Sequence, residues 1–410
     1  MQYPDSVEYL YALGNELKTV KFGLDNILEA LAALGQPQDS LRIVHVAGTN
    51  GKGSTCAMVE AAARAYGLRT GLYTSPHLVE PTERIVIDGR PVSREQFADA
   101  FARVHEVGMR METHPTYFET VTAMAFLLFR DAGVELAVVE VGLGGRLDAT
   151  NVVKPEICAI TPVDFDHEAF LGSSLEQIAG EKAGILKPGV PAVIAPQRAE
   201  AETVIARRAA EVGADVDFVR EREFQDVRVT AEASEFTFRG MRVRCPLAGP
   251  HQVTNAATAS AVLQRLGMAA DGLAGARWPG RLEVVSESPR IILDGAHNPA
   301  GARALADHIH RFYSDRPVWL VYGAMRDKSV EEIAEILFPL ASHVIVTVPA
   351  YGPRALRSEA VVEASDHPSM EEAPDVAHAI SRCRSAPADA VIFITGSLYL
   401  VGEARAQLVK

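Results

Sequence analysis

The stretch "GTNGKGS", Gly48–Ser54, follows the apolar run "LRIVHVA" (Leu41–Ala47) and precedes "STCAMVEAAARAYG". An apolar strand, a glycine-rich turn, a lysine and then a helix form the arrangement that binds phosphate. Backbone N–H groups converge there, the helix N-terminus adds positive potential and the lysine reaches the outer phosphates. The usual loop has four residues between its first glycine and Gly-Lys, and a Ser or Thr straight after the lysine. Here only Thr49 and Asn50 intervene, and Gly53 stands where the hydroxyl belongs, with Ser54 one place late. Lys52 is expected against the β- and γ-phosphates. The plain alternative is a glycine-rich turn that only starts a helix.

Outward from this loop, the first half alternates apolar runs with helical stretches. "ELAVVEVG" (Glu135–Gly142), "EICAITPV" (Glu156–Val163) and "PAVIA" (Pro191–Ala195) read as strands. Each is nearly continuous in apolar residues, as when helices cover both faces of a parallel sheet. From Arg220 to Arg244 the pattern alternates, which predicts a small antiparallel patch, and "HQVTNAATASAVLQRLG" returns to helix. Gly, Pro and polar residues gather between Asp271 and Pro289, after which "RIILD", "VWLVYG", "HVIVTV" and "AVIFIT" read as strands of a second α/β unit. The fold class is α/β in two domains: a parallel-sheet ATPase domain over 1–280 and a smaller Rossmann-like domain over 281–410.

Composition narrows the function. At 410 residues, two domains are the natural expectation. A net charge of -13 argues against a nucleic-acid binder, so an anionic substrate must be met by a local cluster of cations. Cys56, Cys158, Cys245 and Cys383 are scattered, which suits reduced thiols in a cytoplasm and no zinc site. The N-terminus has no secretory pattern and no apolar run reaches membrane-spanning length, so no membrane is expected as a partner.

Further motifs follow in order: "FGLD" (Phe22–Asp25), "TSPHL" (Thr74–Leu78), "ERI" (Glu83–Ile85), "TYFE" (Thr116–Glu119), "EVGLGGRLDATN" (Glu140–Asn151), "DHEAFLG" (Asp166–Gly172), "EKAGILKPG" (Glu181–Gly189), "WPGRLE", "LDGAHNP" and "TGSLYLVGE". Together they resemble the bacterial folylpolyglutamate synthase and dihydrofolate synthase enzymes of the Mur ligase superfamily, over nearly the whole chain. Mur-type ligases use a shortened GTxGK loop, and the folate members carry GKGS or GKGT, so Gly53 marks the folate branch.

The resemblance implies an ATP-dependent ligase. Phosphoryl transfer turns a carboxylate into an acyl phosphate, and the amine of L-glutamate attacks it. The substrates implied are ATP, L-glutamate, and dihydropteroate or a reduced folate, with Mg²⁺, or Mn²⁺ in its place, as cofactor, in a monomer. Lys52, Lys182, His167 and Glu140 carry the chemistry in this picture. Gly51, Lys52, Gly53, Ser54, Asn255, Arg281 and Asp294 hold ATP, and Ser75, Glu140 and His167 hold the metal. Leu24, Asp25, Arg84, Thr116, Phe118, Arg146 and Asp148 meet the pterin or folate. Lys182 is implied to be carbamoylated, against the plainer expectation of a surface lysine paired with Glu181 or Glu176. His297 falls near the nucleotide with no role assigned. The intact "TYFE" and "GRLD" imply both ligations. A Mur-type ligase of cell-wall precursors is the competing reading; it needs a separate domain before the loop, where only 47 residues stand. A regulatory nucleotide binder, which has no use for Lys182, Glu140 and His167 together, is the third.

Overall fold

The computed structural model describes residues 2–14, 23–326, 328–350 and 354–409. Phe22 of "FGLD" lies outside the described residues. By internal contacts the chain divides into two units. The first holds Met1–Asp164, Glu168–Phe224 and Thr254–Ala276; the second holds Phe165–His167, Gln225–Val253 and Arg277–Lys410.

The first unit is built on an eight-stranded sheet. In chain order its strands are β1 (Ile43–Ala47), β2 (Thr70–Tyr73), β3 (Ile85–Ile87), β4 (Arg90–Pro91), β5 (Leu136–Glu140), β6 (Ile157–Ile160), β7 (Ala192–Ile194) and β8 (Val216–Phe218). Their order across the sheet is β4-β3-β2-β5-β1-β6-β7-β8. β2, β5, β1, β6, β7 and β8 run parallel, and β3 and β4 close one edge antiparallel. Every residue of β1 and of β5 is buried, as their continuous apolar runs require.

The helices of this unit include α1 (Tyr3–Ala12), α2 (Asp25–Ala33), α3 (Lys52–Ala65), α4 (Arg94–Gly108), α5 (Tyr117–Asp131), α6 (Glu168–Leu171), α7 (Leu175–Lys182) and α8 (Ala199–Val212). α5 starts on a capping box: the Thr116 hydroxyl accepts from Glu119 N–H, and the Glu119 carboxylate accepts from Thr116 N–H. One core cluster joins Phe97, Phe101 and Val104 of α4, Phe126 and Phe129 of α5, and Ile43, Ala137 and Val139 of the sheet. α3 has no solvent-facing side over most of its length. Gly53–Ala63 are buried all round, and the alanines and glycine let the helix sit close to its neighbours.

In the second unit, β9 (Phe224–Val229), β10 (Ser234–Phe238) and β11 (Met241–Cys245) form the small antiparallel sheet expected from the alternating pattern. All its residues but Phe224 group with the second unit. A six-stranded sheet contains β12 (Glu283–Glu287), β13 (Arg290–Leu293), β14 (Val318–Tyr322), β15 (His343–Val346), β16 (Met370–Glu372) and β17 (Val391–Thr395), in the order β12-β13-β17-β14-β15-β16. Only β12 is antiparallel, and its "EVVSE" had no strand reading in the sequence. α9 (His251–Arg265) begins in the second unit and continues in the first; α10 (Pro299–Tyr313) packs in the second core with Leu305, Leu320, Tyr322 and Phe393. No helix among the described residues is long and apolar enough to cross a membrane.

Candidate active site

The phosphate loop joins the end of β1 to the start of α3. Gly48 takes φ +147° and Gly51 φ +86°, both in the region that favours glycine. A Cβ at Gly48 would lie 1.9 Å from Thr161 Oγ1, so the loop also needs the missing side chain for clearance. The backbone is pinned from β6: Thr49 N–H donates to Pro162 O (3.0 Å), and the Thr49 hydroxyl donates to Asp164 O (2.9 Å). Lys52 is the first residue of α3, and its Nζ donates to Thr49 O at 3.2 Å. Ser54 is 3 % exposed in the first turn.

The structure brings several of the sequence motifs to this loop within the first unit. Asn255 of α9 abuts it, because a Cβ on Gly51 would sit 2.2 Å from Asn255 Oδ1. Lys182, the last residue of α7, is 4 % exposed and donates from Nζ to Gly48 O at 2.9 Å. This overturns the expectation of a surface lysine: Lys182 is buried, with its amine on the phosphate loop. Glu140 ends β5, is 4 % exposed, and accepts from Ser75 N–H at 3.2 Å. Charges of Glu140 and Lys52 both act on the buried Cys56 thiol, whose pKa is pushed well up, chiefly by burial and then by Glu140.

The segments assigned to the pterin or folate adjoin one another in a chain. Leu24 precedes α2 and Asp25 opens it, while the next residue, Asn26, donates to Glu119 Oε2 at 3.1 Å. The start of α2 is thereby held to the start of α5. Thr116 spends its hydroxyl on the cap of α5. Phe118 is half-buried and lies against the glycine loop, since a Cβ on Gly142 would be 2.4 Å from its ring. Arg146 donates from its backbone N–H to Glu181 O at 2.9 Å and pairs with the Glu181 carboxylate at 3.2 Å, which lays "GGRLD" on α7 beside Lys182. Asp148 is 6 % exposed and turned into its own loop: Oδ2 accepts from Leu143 N–H at 2.8 Å and Oδ1 from Thr150 N–H at 2.9 Å. Burial pushes its pKa up, although the Thr150 and backbone donors work against that.

Arg84 is 3 % exposed, and its surroundings were not legible from the motif. Its Nε donates to His77 Nδ1 at 2.8 Å, and its guanidinium stands 5.3 Å from the centre of the Tyr117 ring. Tyr11 Oη lies 3.3 Å from His77 Nε2, and Tyr11 stacks on Tyr117 at 6.1 Å. Burial, then Arg84, hold the His77 pKa well below its ordinary value. His77 and Tyr117 both stand inside quoted motifs, so position alone could have flagged them.

The remaining predicted residues belong to the second unit. His167 has φ +53° and follows Asp166, whose carboxylate is a hub. Lys328 Nζ donates to Asp166 Oδ1 at 2.7 Å, Asn298 Nδ2 donates to Oδ2 at 3.1 Å, and His297 Nε2 lies 3.7 Å from Oδ2. Burial alone would raise the Asp166 pKa. His297, His167 and Lys328 outweigh it and hold the carboxylate well below its usual range. Sequence reasoning missed Lys328. Asp294 directly follows β13 and is 7 % exposed; it accepts from Leu282 N–H and Ala296 N–H, each at 3.0 Å. Burial raises its pKa against the nearby charge of Arg281. Arg281 packs on the same turn, because a Cβ on Gly295 would meet its Nη1 at 2.0 Å. Arg281, Asp294 and His297 therefore cluster on one loop, with His297 Nδ1 2.8 Å from Gly295 O.

Comparisons with known proteins show the family. Residues 46–263 match the Mur ligase middle domain, and residues 280–398 match the Mur ligase glutamate ligase domain. The chain is 35 % identical over 416 residues to the dihydrofolate synthase/folylpolyglutamate synthase of Bacillus subtilis, covering 95 % of each chain. It is 37 % identical over 430 residues to a probable bifunctional folylpolyglutamate synthase/dihydropteroate synthase of Haloferax volcanii, covering 99 % of this chain but only half (50 %) of that one. The solved structure of Escherichia coli FolC in complex with DHPP and ADP superposes with a TM-score of 0.88 at 32 % identity, covering 99 % of this chain and 97 % of that one. With its phosphate loop, its buried lysine and both halves matched, the chain belongs to the Mur ligase family, in the folylpolyglutamate synthase/dihydrofolate synthase branch of ATP-dependent ligases.

Proposed function

We propose that this enzyme adds L-glutamate both to dihydropteroate and to the glutamate tail of reduced folates. The observation that carries the reading is that "TYFE" and "GRLD" are both intact. Within the first unit, the 2.9 Å bond from Lys182 Nζ to Gly48 O ties the phosphate loop to the helix on which "GGRLD" lies. A carboxylate oxygen of the pterin or folate attacks the γ-phosphorus of ATP, and ADP leaves. The glutamate amine then attacks the acyl carbon of the resulting acyl phosphate, inorganic phosphate leaves with the bonding pair, and the amine nitrogen gives up a proton to solvent. Gly51, Lys52, Gly53, Ser54, Asn255, Arg281 and Asp294 are the residues proposed to hold ATP. Lys52 neutralises charge on the transferred phosphoryl group. Leu24, Asp25, Arg84, Thr116, Phe118 and Arg146 serve the acceptor, Phe118 by stacking and the arginines by pairing with carboxylate. Asp148 contributes through the shape of its loop. ATP, glutamate and the acceptor act on a monomer, and four unbridged thiols, all buried, suit the cytoplasm.

The donor set fits a hard divalent cation: the Glu140 carboxylate stands beside Ser75, and oxygen donors of this kind suit Mg²⁺ or Mn²⁺. Glu140, the Ser75 hydroxyl and His167 are the residues proposed to hold it, and its chemistry there is neutralisation of phosphate charge. Lys182 is proposed to be carbamoylated in the working enzyme. Burial favours the neutral amine that reaction needs, and the resulting anion can orient the metal-binding groups.

Lys52→Ala tests the phosphate-loop role. Glutamate-dependent ADP release is expected to fall below about a hundredth of wild type, with an unchanged circular-dichroism spectrum. Retention of most turnover would reduce "GTNGKGS" to a turn. For Lys182, an intact-mass shift of one CO₂ and partial rescue of Lys182→Ala by formate are expected. A bare amine in fully active protein contradicts the carbamate.

A further inference from the structure

His45 lies in the middle of β1, fully buried, paired across the sheet with Val139 of β5 and Cys158 of β6. Its neighbours Val44 and Val46 are the residues expected in such a strand; the imidazole is not. Its Nε2 lies 2.9 Å from the hydroxyl of Thr150, itself fully buried. Its Nδ1 has no partner among the described residues. The Thr150 hydroxyl donates to Asp148 Oδ1. A hydroxyl has one proton, so toward His45 it must accept, and His45 must carry its own proton on Nε2. The bare Nδ1 is then the buried acceptor left without a donor, a cost that leucine or valine would avoid.

We propose that His45 is a positioning residue for the folate or dihydropteroate substrate: through Thr150 it fixes the Asp148 carboxylate that closes the "GLGGRLD" loop. The inference rests on the reading that this loop serves that substrate. Asp148 spans the loop from Leu143 N–H to Thr150 N–H, Phe118 stands against its start, and its own Arg146 pairs with Glu181 of α7. Without the His45 donor, the sealed Thr150 hydroxyl is free to turn to another staggered rotamer and Asp148 loses a donor. The imidazole stays neutral throughout, since burial and then the charge of Lys187 hold its pKa down to about 3. Although β1 also leads into the phosphate loop, that loop has its own ties, to Pro162, Asp164 and Lys182. The effect is therefore confined to one substrate.

The test compares His45→Leu, His45→Gln, Thr150→Val and Asp148→Ala, measuring kcat, KM for ATP, KM for dihydropteroate or reduced folate, and Tm. His45→Leu and Thr150→Val are expected to raise the KM for the pterin or folate roughly tenfold and leave the KM for ATP unchanged. Removing the orphaned Nδ1 should keep the Tm of His45→Leu at or above wild type. His45→Gln, whose amide N–H takes the place of Nε2–H, should restore the wild-type KM. His45→Leu combined with Asp148→Ala should be no worse than Asp148→Ala alone. An unchanged folate KM in His45→Leu and Thr150→Val, beside a raised one in Asp148→Ala, overturns the inference. So does a parallel decline of Tm and every kinetic constant, which is what a purely structural role gives. An unchanged folate KM in Asp148→Ala defeats the underlying reading of the loop, and the inference with it.

Discussion

Asp148 and Asp166 are both buried aspartates, one on the chain leaving β5 and the other on the chain leaving β6, and they are answered by opposite chemistry. Asp148 meets a hydroxyl and backbone N–H groups, and its pKa is raised by burial. Asp166 meets Lys328, with His297 and His167 nearby, and its pKa is held down against burial. Neutral donors fix the shape of a loop without demanding a counter-charge. A buried ion pair instead ties its partners to one another, and its cost falls due when either partner is removed. The first arrangement shapes "GLGGRLD". The second holds the residue just before His167 to Lys328 and Asn298, which explains why 165–167 group with the second unit while 164 and 168 group with the first.

The contrast can be broken by mutation. Lys328→Met leaves Asp166 buried without its ammonium, both side chains being 9 % exposed, and should destabilise the protein by about 3 kcal/mol in urea unfolding. A loss below about 1 kcal/mol would show the pair to be solvated and the latch illusory. Asp148→Asn keeps the shape but replaces an acceptor with a donor facing N–H groups, so about 2 kcal/mol is expected. The smallest and most discriminating effect is on acid sensitivity. The depressed folded pKa of Asp166 gives stability that is present above the ordinary carboxylate value of about 4 and lost as pH falls through the folded value. The raised folded pKa of Asp148 has the other sign: its contribution is present below the ordinary value and lost as pH rises through the folded one. Asp166→Asn should therefore flatten the acid limb of stability against pH, and Asp148→Asn should steepen it. Identical limbs in the two variants would erase the distinction.

Much of the fold was legible because parallel strands buried on both faces leave continuous apolar runs: β1, β5, β6, β13, β14, β15 and β17 all fall within the runs read from the sequence. β8, β12 and β16 escaped because edge strands are short and half-exposed and carry no such run. At the site, the phosphate loop was readable from local spacing, since one strand, one turn and one helix make it. The burial of Lys182 was not, because it depends on α7 meeting Gly48 across 134 residues of chain. The same holds for Lys328 on Asp166, 162 residues apart. The value of His45 was hidden for another reason: a histidine within "LRIVHVA" looks like a tolerated core residue until its ring is seen against Thr150.

The central claim is that one protein carries out both glutamylations. Purified enzyme with ATP, Mg²⁺ and L-glutamate is offered dihydropteroate in one reaction and a reduced folate in the other, and the products are weighed by mass spectrometry. The account predicts, in each, a product heavier by one glutamyl residue, formed with one ADP per product and absent when glutamate is omitted. Product from the reduced folate alone would contradict the dual activity, and no glutamate-dependent product from either would contradict the ligase assignment itself.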